Sequence, residues 1–340
     1  MASAKELIRQ IQQGDYDKAF EKLYGASRVE AQRQRYIQAV EAFGQLYGAD
    51  RETAIYSAPG HNNGVVMAAA VDLDIIAVVS KNDENIVRVK SQGFEGQDVV
   101  DLSVMEPQAR EAGRSSALVR GVAAGILQRG GKVGGFDCYT TNAVLRGSGL
   151  SSSAAFEVVM GAVFRGEYGS DFIDQVELAK IGQYAENVFF GKPCGLMDQT
   201  ACAVGSAITI DFKDPSAPVV NKVDFDLAKH GFALCITDTK GSHADLTDDY
   251  AAIRSEMEAV AAFFGKKVLR EVEEDQLFAT LGAVRAKLGD RACLRAIHFF
   301  AECRRAAALY KDVAEDRFDD FLFDIIQGGH SSFEYNQNAY

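Results

Sequence analysis

The first 46 residues set apolar positions among Lys, Arg, Glu and Gln, as in MASAKELIRQIQQGDYDKAF, an amphipathic pattern that predicts helix over 5–46. YSAPGHNNG (56–64) interrupts it with turn chemistry, Pro and Gly followed by Asn-Asn-Gly. Residues 65–80 and 86–91 then read as strands, with Val87 and Val89 alternating with polar neighbours in IVRVKS. A helix over 107–129 ends at Gly130-Gly131, which has the character of a C-cap. FDCYTTNAVL (136–145), rich in β-branched and aromatic residues, is a strand that leads directly into a Gly/Ser loop. Helices over 154–165 and 173–189 follow, then the loop FFGKPCGLMDQ and a strand, AITIDF (207–212).

DPSAPVV (214–220) holds two of the five prolines, so the boundary between two lobes is placed there, 1–213 and 214–340. GFALCITDT (231–239) predicts a buried strand at the start of the second lobe. DDYAAIRSEMEAVAAFF (248–264) puts Tyr250, Ile253, Met257, Val260 and Phe264 on one helical stripe, and helix dominates the remainder. Strands alternating with helices, and helices clustered late, predict an α+β enzyme of two lobes rather than a regular doubly wound sheet.

Composition narrows the function. At 340 residues, 47% hydrophobic, the chain can fill a large core. A net charge of −12 argues against nucleic acid or an anionic membrane as partner. An acidic chain binds phosphate only where backbone dipoles and a metal neutralise it locally. The six cysteines form no C-x-x-C pair, so neither zinc nor a disulfide framework is indicated. The start lacks the apolar centre of a signal peptide, and the longest apolar stretch, GVVMAAAVDLDIIAVV, is cut by Asp72 and Asp74. The expectation is a soluble cytoplasmic protein.

The candidate chemistry begins at LRGSGLSSSAAFE (145–157). Gly147 and Gly149 permit close backbone approach, Ser151, Ser152 and Ser153 supply hydroxyls, and an apolar helix follows. Such a helix start is an anion site, with phosphate the usual guest; a capped helix after a flexible turn fits equally. The P-loop pattern fails because GGKVGG has valine at the hydroxyl position; G-x-G-x-x-G and the protein-kinase elements are absent. Phosphoryl transfer to an alcohol also calls for a magnesium ligand and a group that orients the hydroxyl. Glu186 and Asp198, in QYAENVFFGKPCGLMDQTACAVG (183–205), are carboxylates among apolar neighbours. The alternatives are a solvated helix residue for Glu186 and a helix N-cap for Asp198.

Together LRGSGLSSSAAFE and AENVFFGKPCGLMDQ closely resemble the galactokinase family, part of the superfamily that includes homoserine, mevalonate and phosphomevalonate kinases. SAPG (57–60) with NNGVVMAAAV (62–71), TKGSHADLTDDYAAIRSEM (239–257) and HSSFEYNQNAY (330–340) are similar to further segments of that family. The resemblance implies two α+β lobes with ATP in the cleft, its phosphates wrapped by Gly147, Ser148, Gly149, Leu150, Ser151, Ser152 and Ser153. It implies that Ser152 with Glu186 holds magnesium, that Asp198 takes or orients the sugar hydroxyl proton, and that Gly195, Asp198 and Tyr250 contact the sugar. For Tyr250, on the apolar stripe, core packing is the alternative. The sequence departs from the family twice. Gly60 runs directly into His61-Asn62-Asn63, without the family's Arg and Glu-His-x-Asp cluster, and the sequence stops at Tyr340, where the family continues into a glycine-rich third motif.

The resemblance therefore implies an ATP-dependent kinase acting on the anomeric hydroxyl of galactose, with partners that are small molecules. A sugar- and nucleotide-binding sensor without turnover is the alternative. Another kinase of the superfamily is disfavoured by GLMDQ and the Tyr250 helix. Oligomeric state is not assigned.

Overall fold

The computed structural model describes residues 2–48, 52–62, 67–144, 150–192, 194–214, 217–235 and 247–337, with only the backbone described at 52–62, 72 and 247–251. The main division into two compact units falls between Gly205 and Ser206. The boundary expected at 213/214 lies within the second.

A two-residue strand, β1 (Ala2–Ser3), precedes three helices: α1 (Ala4–Gln13), α2 (Asp17–Tyr24) and α3 (Val29–Tyr47). The expected single helical stretch is broken at Gly14 (φ 85°) and Gly25 (φ 83°), left-handed conformations that glycine adopts at helix ends. β2 (Glu52–Asn62) and β3 (Met67–Lys81) pair antiparallel. The turn expected at 56–64 is thus, through Asn62, a strand. Its turn-forming residues leave a trace as a register shift between Pro59 and His61, where proline lacks the ladder's N–H. β4 (Ile86–Ser91) and β5 (Asp98–Asp101), the latter not predicted, form an antiparallel pair. α4 (Ser115–Gln128) is shorter than the predicted 107–129; a single 3-10 turn at Ala109–Glu111 precedes it. β6 (Phe136–Asn142) inserts between β3 and β4, antiparallel to the first and parallel to the second.

The strand order β1-β2-β3-β6-β4-β5 buries Ile75 to Val79 of β3 on both faces, in keeping with the apolar run that follows Asp74. Ile76 and Val78 pack with Phe20, Tyr36, Val40 and Phe43 of the amino-terminal helices. Phe136 of β6 meets Phe164 of α5 (Ser152–Tyr168) edge-on at 5.1 Å. α6 (Gln175–Tyr184) continues as a π-helical turn, Ala185–Phe190, and α7 (Met197–Val204) completes the first unit.

The second unit begins with an antiparallel pair, β7 (Ala207–Asp211) and β8 (Val219–Val223); the proline-rich stretch at 214–220 therefore connects and partly forms this hairpin. The buried strand expected at 231–239 is not found: residues 231–235 have no regular structure, Phe232 and Leu234 are exposed, and 236–239 lie outside the described residues. An apolar run becomes a strand only with a ladder partner, and 231–235 have none among the described residues. α8 (Thr247–Phe263), α9 (Glu274–Leu288), α10 (Asp290–Ala314) and α11 (Phe318–Ser331) follow. Val260, Leu277, Val284, Ala296 and Phe300 form this unit's core, with Met257 and Phe264 against it. No described helix is long and apolar enough to cross a membrane.

Candidate active site

Three consecutive serines at the start of α5 have different surroundings. Ser151, at the N-cap, sits at φ 52° and ψ 57°, a left-handed conformation its β-carbon disfavours. Its hydroxyl does not cap the helix but donates to Oδ2 of Asp198. The Ser153 hydroxyl donates to Oε1 of Glu186 at 3.0 Å. Ser152, with Ser153, lines a cavity of about 540 Å³. The first N–H groups of a helix have no intrahelical acceptor and carry its positive dipole end, so this terminus favours an anion. Leu150 is fully buried and anchors the end of the loop; Gly147, Ser148 and Gly149 lie outside the described residues.

Asp198 lies in the first turn of α7, where a negative charge is favoured. The N-cap position belongs to Leu196, so Asp198 is not the cap that its sequence context also allowed. The preceding loop is held to the α6 extension: Asn187 Oδ1 accepts from the Cys194 N–H at 2.7 Å, and Gln183 Nε2 donates to the Cys194 carbonyl at 3.3 Å. Gly195 is exposed in this loop, and a β-carbon there would meet nothing within 4 Å.

Glu186 is buried, not the solvated helix residue that was the alternative. It occupies the π-helical turn, whose widened geometry ends at Gly191 (φ 86°) and recurs in proteins at functional positions. Its Oε1 meets Ser153 and, at 3.5 Å, the Lys192 ammonium; its Oε2 accepts from Gln199 Nε2 at 3.1 Å. The same amide nitrogen donates to Oε2 of Glu157 at 3.0 Å. Burial first, and the Glu186 carboxylate second, push the Glu157 carboxyl well above the usual carboxylate range.

The structure thus brings Ser151 to Asp198 and Ser153 to Glu186, within one unit. The hydroxyl that meets Glu186 is that of Ser153, where the resemblance pointed to Ser152. Tyr250 falls in the first turn of α8, its side chain outside the described residues. Sequence reasoning passed over Glu157 and Gln199. The signal for Glu157 was a lone carboxylate inside AAFEVVMGAVF; that for Gln199 was only its place beside Asp198. The cavity walls, which include Phe94, Asp98, Arg114, Asn142, Phe156 and Phe190, come from six segments that no local motif unites.

The oxygen donors around Glu186 fit a hard cation. Magnesium takes one or two protein oxygens and completes its shell with water and phosphate. Among the described residues no group of three His, Cys, Asp or Glu side chains forms an all-protein cage.

The chain is similar to known proteins over most of its length. Residues 117–206, spanning α4 to α7, match the family described as GHMP kinases N terminal domain. A galactokinase of Streptomyces coelicolor is 34% identical over 268 residues, 75% of this chain and 67% of that protein. One from Actinobacillus pleuropneumoniae serotype 5b is 31% identical over 279 residues, 78% of this chain and 70% of that protein. The crystal structure of Lactococcus lactis galactokinase complexed with galactose shares the fold, with a TM-score of 0.70 at 20% identity, covering 87% of this chain and 79% of that one. The chain belongs to the galactokinase family of the GHMP kinases.

Proposed function

We propose that this chain transfers the γ-phosphoryl group of ATP to the anomeric hydroxyl of galactose, with Asp198 facing that hydroxyl. The observation that carries the reading is the pairing of successive serines at one helix start with two carboxylates, Ser151 with Asp198 and Ser153 with Glu186. One helix terminus thereby fixes both the group that handles the acceptor and the group that handles the phosphates.

The first-turn N–H groups of α5, with Gly147, Ser148 and Gly149 of the preceding loop, receive the phosphates, while the base and ribose take the 540 Å³ cavity beside Ser152 and Ser153. Glu186, with Ser153 and Ser152, is the set that would hold magnesium. When bound, the metal neutralises charge on the β- and γ-phosphates. Asp198 accepts a hydrogen bond from Ser151, which holds the carboxylate that would face the acceptor hydroxyl. Phosphoryl transfer proceeds through a loose transition state, so aligning the hydroxyl matters more than removing its proton early. Gly195, exposed and without a side chain, gives the sugar room next to Asp198; for Tyr250 the sugar contact rests on the family resemblance alone. A reaction that consumes ATP and releases a sugar phosphate fits the cytoplasm.

The test is incubation with galactose, ATP and magnesium, followed by phosphorus NMR of the product. A sugar phosphate at the anomeric position is expected, dependent on both ATP and magnesium. Phosphate at another hydroxyl, or ATP hydrolysis without sugar phosphate, contradicts the assignment.

A further inference from the structure

We infer that Gln199 is a positioning residue for this reaction: its amide, anchored by Glu157, sets the carboxylate of Glu186 so that Oε1 is left for Ser153 and the metal. The inference rests on the metal role proposed for Glu186.

Gln199 is fully buried, and its Nε2 reaches Oε2 of Glu157 at 3.0 Å and Oε2 of Glu186 at 3.1 Å. An amide NH₂ has two hydrogens, and the two carboxylate oxygens, closer and stronger acceptors than the Cys194 sulfur at 3.5 Å, take one each. This fixes Oε2 of Glu186 inward and turns Oε1 toward Ser153. One side chain joins α7, α5 and the π-helical turn. Packing holds it there: a β-carbon on Gly182 would lie 3.0 Å from Oε2 of Glu157 and 3.1 Å from Cγ of Gln199.

A glutamine at this position carries a stability cost of its own. Oε1 of Gln199 and Oε1 of Glu157 are buried with no hydrogen-bond partner among the described residues. Leaving two acceptors unsatisfied is costly, and a methionine of similar length would avoid the loss at position 199. The shared nitrogen, and not the orphaned oxygens, is what the arrangement preserves. Groups that orient a metal's ligand without touching the metal change affinity or activity 10- to 100-fold when removed, about the range expected here.

The experiment measures the rise in melting temperature on adding ATP, with and without magnesium, and the magnesium dependence of turnover. Gln199→Met is expected to lose most of the magnesium-dependent part of the ATP shift and to need about tenfold more magnesium for half-maximal rate. Its KM for galactose should stay within about twofold. Glu157→Leu should behave likewise, and Glu157→Gln, whose amide oxygen still accepts from Gln199, should recover most of the loss. If Gln199→Met does not fold, Gly182→Ala, which crowds the amide without removing any polar group, should show a smaller loss of the same kind. Magnesium dependence unchanged in every folded variant, while Glu186→Gln loses it, overturns the positioning role alone. Unchanged dependence in Glu186→Gln overturns the metal role and this inference with it.

Discussion

At the residue scale, Ser151 separates stability from activity. A serine in left-handed conformation carries a cost of about 1 kcal/mol that glycine avoids. Its hydroxyl is spent on Asp198 and does nothing for the helix cap. Ser151→Gly is therefore expected to melt within about 2 °C of the parent, because relief of strain offsets the greater flexibility of glycine. Turnover should fall about tenfold, the loss of one hydrogen bond to a charged group. Calorimetry and steady-state kinetics on the same preparation check both parts; a large drop in melting temperature with turnover intact would show that the hydroxyl is structural. The residue types were legible: Asp198, Glu186 and the serines were all singled out from the chain. Their pairing was not, because which of Ser152 and Ser153 faces Glu186 depends on the helix phase set by Ser151's backbone.

Elements explain what sequence did and did not disclose. β3, β4 and β6 were readable because a central apolar run and strict alternation leave few other states. β2 was not, since Pro59, Gly60 and Asn62 favour turns locally, and only the long ladder with β3 overrides them. The same dependence on a partner left residues 231–235 of the strand expected at 231–239 without regular structure. The contact of α4 with the π-helical turn makes a second prediction. A β-carbon on Gly121 would sit 2.7 Å from the Ala185 Cα and 3.0 Å from Phe189, so no side-chain rotation relieves it. Gly121→Ala should cost about 1–3 kcal/mol in denaturant unfolding. Gly195→Ala, in open space, should cost nothing measurable by the same assay. Equal stability of the two would mean the helix contact is looser than described.

α10 carries a pH prediction. His298 is half-buried against Ser331, 2.8 Å from its hydroxyl, and burial first, then Arg305, pull its pKa from 6.5 to about 4. Above pH 6.5 the imidazole is neutral folded or unfolded and contributes no pH dependence. Between 6.5 and 4 the unfolded chain takes up a proton that the folded one resists, so stability falls as pH falls through that window. His298→Gln should remove this part of the acid sensitivity, seen as a shallower decline in melting temperature from pH 7 to pH 5. An identical decline in both proteins would assign it to other groups.

For the whole molecule, a net charge of −12 and a polyanionic nucleotide are reconciled locally. In the function proposed above, the α5 terminus, the serine hydroxyls and a magnesium held by Glu186 would neutralise the phosphates without a basic surface. The proposed transfer depends on Asp198, one carboxylate whose position is fixed by Ser151 and by the first turn of α7. Single-turnover transfer from labelled ATP to galactose by Asp198→Asn measures its role most directly. Asparagine keeps the shape and removes the charge and the proton acceptor. Transfer should fall about 10²-fold or more, with the ATP-induced melting shift retained. Transfer within about threefold of the parent would contradict the mechanism, because so small a loss is below what an acceptor-handling carboxylate supplies.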